Sequence, residues 1–135
     1  MKMNKKGFYT NIEEEAIKNE NFRKVLYTSS YMQLVVMSLK PGEEIGKEIH
    51  GVDQFFRFEE GYGKVIVGDK EYEVEDDDVI IVPAGIEHNV INISESEDLK
   101  LYTIYAPPHH KDGIIRKTKE EAEKNFQEFD GVITE

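Results

Sequence analysis

The chain has 135 residues, with 28 Asp and Glu against 17 Lys and Arg, a formal charge of −11. That length accommodates one domain with a single core, and the acidic balance disfavours nucleic acid or an anionic membrane as partner. The absence of cysteine rules out disulfides, thiolate ligands and thiol nucleophiles, and with no long apolar run near the N-terminus the chain reads as soluble and cytoplasmic, without signal peptide or membrane span.

Asn11 and Glu14 have capping-box spacing before Glu15-Ala16-Ile17 and predict a short helix. From Val25 onward short apolar or alternating runs, punctuated by Gly, Pro and acidic clusters, predict strands at 24–29, 31–40, 45–50, 53–59, 62–67, 70–75, 78–82, 86–93 and 99–106. Tight turns are expected at Glu60-Gly61 and Gly68-Asp69. Short strands at this spacing make an all-β antiparallel barrel or sandwich. The acidic run Glu75 to Asp78 lacks the spacing of a calcium loop and reads as a solvated turn.

After the last strand Pro107-Pro108 ends the pairing, which leaves the consecutive His109 and His110 on a loop at the barrel mouth or an interface. Thr118 and Glu121 repeat the capping spacing, and Ala122, Phe126 and Phe129 predict an amphipathic helix over 119–129. Apolar residues on both faces of Met32–Met37, with Phe55 facing away from Gln54, predict a homodimer.

The chemistry concentrates in Glu48, His50, Gln54 and His88. Glu48 and His50 are two apart, so on a strand both leave one face; Gln54 and His88 would join them from neighbouring strands. Two imidazoles and a carboxylate suit a first-row divalent metal and form the facial set of non-haem iron sites, while Gln54 offers a neutral amide oxygen, directly or through water. A metal would also keep Glu48 ionised, whereas alone in an apolar barrel it would be driven towards its protonated form. The spacing alone equally admits hydrogen-bonded core histidines and a carboxylate at the rim.

Parity puts Phe56 and Phe58 on the face of Gln54, with Phe55 and Arg57 opposite, and Val90 and Asn92 on the face of His88. These four, with Tyr102 as a neighbour whose facing the pattern leaves open, are the candidate small-molecule pocket. No Lys or Arg cluster stands out for a phosphate.

Gly42, five residues, Glu48-Ile49-His50, three residues, Gln54, six residues and Gly61 resemble the first motif of the cupin superfamily. Asp77, five residues, Pro83-Ala84-Gly85, two residues, His88, three residues and Asn92 resemble the second. The resemblance, centred on 31–106, implies one cupin domain over 1–135, a jelly-roll or double-stranded β-helix barrel with a short C-terminal helix. It implies that Glu48, His50, Gln54 and His88 all hold one divalent transition metal, with Fe, Mn, Ni and Zn unresolved. Glu48 stands where the family has a histidine, and Gln54 where it has a glutamate.

The ending Leu101 to Pro108 is similar to that of small cupins grouped with sugar-phosphate isomerase-like proteins, which implies an isomerase or epimerase acting on a sugar-like or hydroxycarbonyl compound. The altered ligand set leaves an iron or manganese dioxygenase and a non-catalytic small-molecule-binding protein as alternatives. No catalytic residue is assigned.

Overall fold

Alternating burial builds nine strands in residues 4–135, the part of the chain described by the computed structural model. They are β1 (Arg23–Thr28), β2 (Gln33–Leu39), β3 (Asp53–Glu60), β4 (Gly63–Val67), β5 (Lys70–Val74), β6 (Val79–Val82), β7 (His88–Asn92), β8 (Leu99–Ala106) and β9 (Ile115–Arg116). Two short helices, α1 (Ile12–Lys18) and α2 (Lys119–Lys124), flank them. The strands form an antiparallel six-stranded sheet in the order β6-β3-β8-β2-β1-β9 and a three-stranded sheet β5-β4-β7. No helix among the described residues is long and apolar enough to cross a membrane.

Both sheets turn their apolar faces to one core. Val35, Met37 and Leu39 of β2, Phe56 and Phe58 of β3 and Leu99 and Leu101 of β8 meet Val65, Val74 and Val90 of the smaller sheet. On β3 the buried Gln54, Phe56 and Phe58 alternate with half-buried Phe55 and Arg57, as a period of two requires. The all-β antiparallel architecture with a short C-terminal helix is thus the one expected.

Three local departures stand out, two of them with a clear physical reason. The strand expected at 45–50 is reduced to bridges, Glu44 with Ile91 and Glu48 with His88. Gly46 has φ +108°, and its N–H is taken by the Asn89 side chain at 2.8 Å, which breaks the ladder between those bridges. The helix expected over 119–129 starts under Thr118, whose side chain accepts from Glu121 N, but ends at Lys124. Beyond it the backbone pairs instead with the loop after β8: Lys111 N donates to Gln127 O and Phe129 N to His109 O. The two-residue β9, which pairs with Arg23 and Lys24, was not anticipated.

At the helix expected near Asn11, the side chain of that residue caps α1 through Glu14 N. The turn at Gly61 has φ +103°, and a Cβ there would stand 2.5 Å from the Asp98 carbonyl oxygen. Gly61→Ala should therefore cost about 3 kcal/mol, since a left-handed backbone and a backbone clash both oppose it. Urea unfolding checks this, and a loss below about 0.5 kcal/mol would show that the 98–99 backbone yields freely. The far end of the chain is held too: the Glu135 carboxylate accepts from Lys6 N, Gly7 N and Tyr27 Oη at 2.8, 2.9 and 2.6 Å.

Candidate metal centre

Glu48 and His50 lie in the segment that leads from β2 into β3, and His88 opens β7. Reciprocal backbone bonds of 2.9 Å between Glu48 and His88 pin that segment to β7, and Gly85 N donates to His50 O at 2.8 Å. Both sequence motifs are thereby tied together by main chain. One ligand atom each from Glu48, His50 and His88 falls within 4.8 Å of the others.

The nitrogen donors are left free of other partners. His88 Nδ1 donates to the Ile86 carbonyl at 2.9 Å, which leaves Nε2 with an unshared lone pair. His50 Nε2, His88 Nε2 and Gln54 Oε1 are all buried without a hydrogen-bond partner. Gln54 Nε2 donates to Thr103 Oγ1 at 3.0 Å, so the amide is oriented from behind and its oxygen is the unpartnered end. Buried polar atoms are rarely orphaned in a finished structure. Two nitrogens and a carboxylate within ligation range fit a divalent first-row metal.

Electrostatics agree. Burial pushes the Glu48 carboxyl up, but His50, Arg23 and His88 together outweigh it and hold Glu48 below the usual carboxylate range. Glu48 Oε1 and His50 Nε2 stand 3.4 Å apart. Burial lowers His88, against the pull of the Ile86 carbonyl, so its imidazole favours the neutral ligating form.

Four residues outside the motifs add to the surroundings. The His109 ring lies 4.2 Å from that of His50, and burial followed by His50 depresses it to about 4. Tyr105 shares the inner face of β8 with Thr103; burial raises its hydroxyl to about 12, and His110 Nε2 lies 3.2 Å from it. Arg23, at the start of β1, is buried and lines a crevice of about 350 Å³ that reaches Glu48 between residues 45–48 and α2. Sequence reading passed over Arg23 and Tyr105, although Arg23 shares its facing with Val25, and Tyr105 with Leu101.

The expected pocket residues divide. Phe56, Phe58 and Val90 are packed in the hydrophobic core, with the Phe56 ring 6.2 Å from His88. Asn92 donates to the carbonyls of Leu39 and Glu97, a structural duty at the other end of β7 from His88. Tyr102 is a correction: its ring packs 6.1 Å from Phe55 on the outer face, because β8 turns Leu101, Thr103 and Tyr105 inward. Tyr105 takes the place beside the centre. His109 and His110 do lie on the loop after β8, but they turn in towards His50 and Tyr105.

Residues 35–105 match the cupin domain family. The uncharacterized protein YrkC of Bacillus subtilis is 46% identical over 124 residues, which cover 87% of this chain and 66% of that protein. An uncharacterized protein of Acanthamoeba polyphaga mimivirus is 43% identical over 112 residues, 80% of this chain and 70% of its own. The chain thus spans about two thirds of the curated relatives it matches. The crystal structure of BH2720 from Bacillus halodurans superposes with a TM-score of 0.86 at 43% identity, covering 91% of this chain and 98% of that one. With both motifs in place and their strands folded around them, the chain belongs to the cupin family.

Proposed function

We propose that the chain binds one divalent transition metal through Glu48, His50 and His88, with Gln54 supplying a neutral oxygen directly or through water, and isomerises or epimerises a small hydroxycarbonyl compound. The observation that carries this reading is the gathering of Glu48 with the unpartnered His50 Nε2 and His88 Nε2, while the Gln54 oxygen is likewise buried and free. When bound, the metal would supply Lewis-acid polarisation of a carbonyl oxygen.

The other requirements fall to the chain. Glu48 would balance part of the metal charge, and the Ile86 carbonyl holds the His88 ring in the tautomer that would ligate. His109, beside His50 and neutral down to about pH 4, is the proton acceptor for a C–H next to the carbonyl. Tyr105 keeps its proton to about pH 12 and so stays a hydrogen-bond donor.

The test is deuterium exchange. The chain reconstituted in turn with manganese, iron, nickel and zinc is incubated with glyceraldehyde or dihydroxyacetone in D2O and followed by proton NMR. Metal-dependent exchange at the carbon beside the carbonyl is expected, lost in His109→Ala with metal content unchanged. Oxygen uptake in place of exchange would favour the dioxygenase reading that the two-histidine, one-carboxylate set supports, and binding with neither would leave a non-catalytic binding protein.

We also propose a homodimer in which a second copy covers the outer face of the larger sheet, where Phe55 packs near Tyr102 and pairs across to the exposed Ile81 on β6. Sedimentation at micromolar concentration should give a dimer, and a monomer would remove that part of the proposal.

A further inference from the structure

A buried cation without a counter-ion stands next to this centre. Arg23 is 6% exposed, yet it forms no ion pair among the described residues: its Nε is wholly buried and unpartnered, and the hydroxyl beside its guanidinium, that of Tyr105, is neutral. The Phe22 ring covers one side of the guanidinium, 5.2 Å from its centre. Glu48 feels the charge of Arg23 but lies beyond ion-pair distance from it, its contact being His50 at 3.4 Å.

A buried guanidinium left in this state is costly, because desolvation is not offset by a hydrogen-bonded counter-charge. The usual resolution is a planar anion that accepts from the guanidinium fork. Space for one exists: the crevice of about 350 Å³ is bounded by Phe22, Arg23, Lys47, Glu48, Glu123 and Phe126, which places Arg23 and a metal ligand on the same opening. A divalent metal held by one carboxylate keeps a net positive charge, and Arg23 adds another. The inner end of the crevice is therefore doubly cationic, with Glu123 and Lys47 of opposite sign at its sides.

We infer that Arg23 is an anion-binding residue of this pocket, and that the ligand is a small carboxylic acid carrying a second oxygen for the metal. The inference rests on the metal reading of Glu48, His50 and His88, and narrows its hydroxycarbonyl compound to a hydroxy- or oxo-acid. Arg23 binds the carboxylate, and the adjacent oxygen faces the ligand cluster. Phe22 and Phe126 supply apolar walls to the crevice.

The experiment is calorimetric titration of lactate, with propane-1,2-diol as its uncharged counterpart and inorganic phosphate as a second anion, into the zinc-loaded chain and into Arg23→Met. Zinc content is measured first, and thermal melts confirm folding. Arg23→Met should melt no lower than the parent, since it removes an uncompensated buried charge. Lactate should bind the parent and lose about tenfold or more in affinity in Arg23→Met at equal zinc content, as loss of a charged hydrogen bond implies. Arg23→Lys should fall between the two, and the diol should bind neither.

Equal lactate affinity in parent and Arg23→Met overturns the inference, as does a diol that binds as tightly as lactate. Phosphate binding tighter than lactate overturns the carboxylate assignment. A chain that takes up no zinc fails the metal reading alone. Lactate titrated into that metal-free chain still decides the role of Arg23, by whether affinity depends on the guanidinium.

Discussion

His88→Ala should lose about 100-fold or more in metal affinity while the protein stays folded. Loss of a group that merely orients a ligand costs about 10–100-fold, and His88 would be a ligand itself, its Nε2 unpartnered and its ring held through Nδ1 by Ile86. The core is built elsewhere, from Phe56, Phe58, Leu99, Leu101 and the valines of both sheets, so a metal here serves a pocket and does not replace packing. Removing the ring opens a gap beside Phe56 and should lower stability by about 1–3 kcal/mol, which leaves a cooperative unfolding transition. Gln54→Leu should weaken metal binding less, because a neutral amide oxygen is the poorest donor of the four. Metal content by mass spectrometry, with competition against a chelator for affinity, measures both variants alongside His50→Ala. Full occupancy in His50→Ala and His88→Ala would dismiss the assigned centre.

The metal-free protein should lose several kcal/mol of stability on acidification from pH 7 to pH 4, and His110→Phe should remove much of that loss. Burial, followed by the charge of Arg23, pushes His110 from 6.5 down to about 2, and burial with His50 pushes His109 to about 4. Both folded-state values lie below the unfolded value, so the unfolded chain takes up protons first as pH falls. The stability these neutral imidazoles confer is complete above pH 6.5. It declines between 6.5 and about 4 on account of both, and below that through His110 alone, down to about 2. Each pH unit of separation is worth about 1.4 kcal/mol per group.

His110 is 2% exposed, so solvent screens little of the effect. Its backbone is held independently by Gln33, which accepts from His110 N and donates to His110 O at 2.9 and 2.7 Å. Phenylalanine can therefore replace the ring without releasing the loop, at the cost of the 3.2 Å contact with Tyr105. Urea unfolding at a series of pH values in the presence of chelator reads the slope. An unchanged slope in His110→Phe would assign the acid sensitivity to other groups.

Most of the scaffold was legible because period-two patterns need no tertiary information. Gln54, Phe56 and Phe58 could be placed on one face of β3, and the two-residue Gly68-Asp69 turn located, from local chemistry alone. What escaped depended on partners distant in sequence. Gly46 and Asn89 are 43 positions apart, and their bond is what interrupts the strand expected at 45–50. Phe126 and Phe129 keep helical spacing, yet the loop after β8 draws their backbone out of α2 and sets the Phe126 ring against His109 and His110.

The candidate centre divides in the same way. Glu48, His50, Gln54 and His88 sit within motifs whose spacing advertises them. Tyr102 and Tyr105 differ only in the parity of β8, which a strand with apolar residues at nearly every position does not reveal. Arg23 belongs to no motif, and an isolated arginine at a strand start ordinarily reads as solvated. Only burial together with the lack of a counter-ion marks it.

The clasp of Glu135 on Lys6, Gly7 and Tyr27 makes the fold a nearly closed loop of chain. A short linker could join those ends, and new ones could be opened in the Gly68-Asp69 turn of the β4–β5 hairpin without cutting a core strand. In such a circular permutant Glu48, His50 and Gln54 would lie near the new C-terminus and His88 near the new N-terminus. A metal joining them would then staple the two ends of the rearranged chain together.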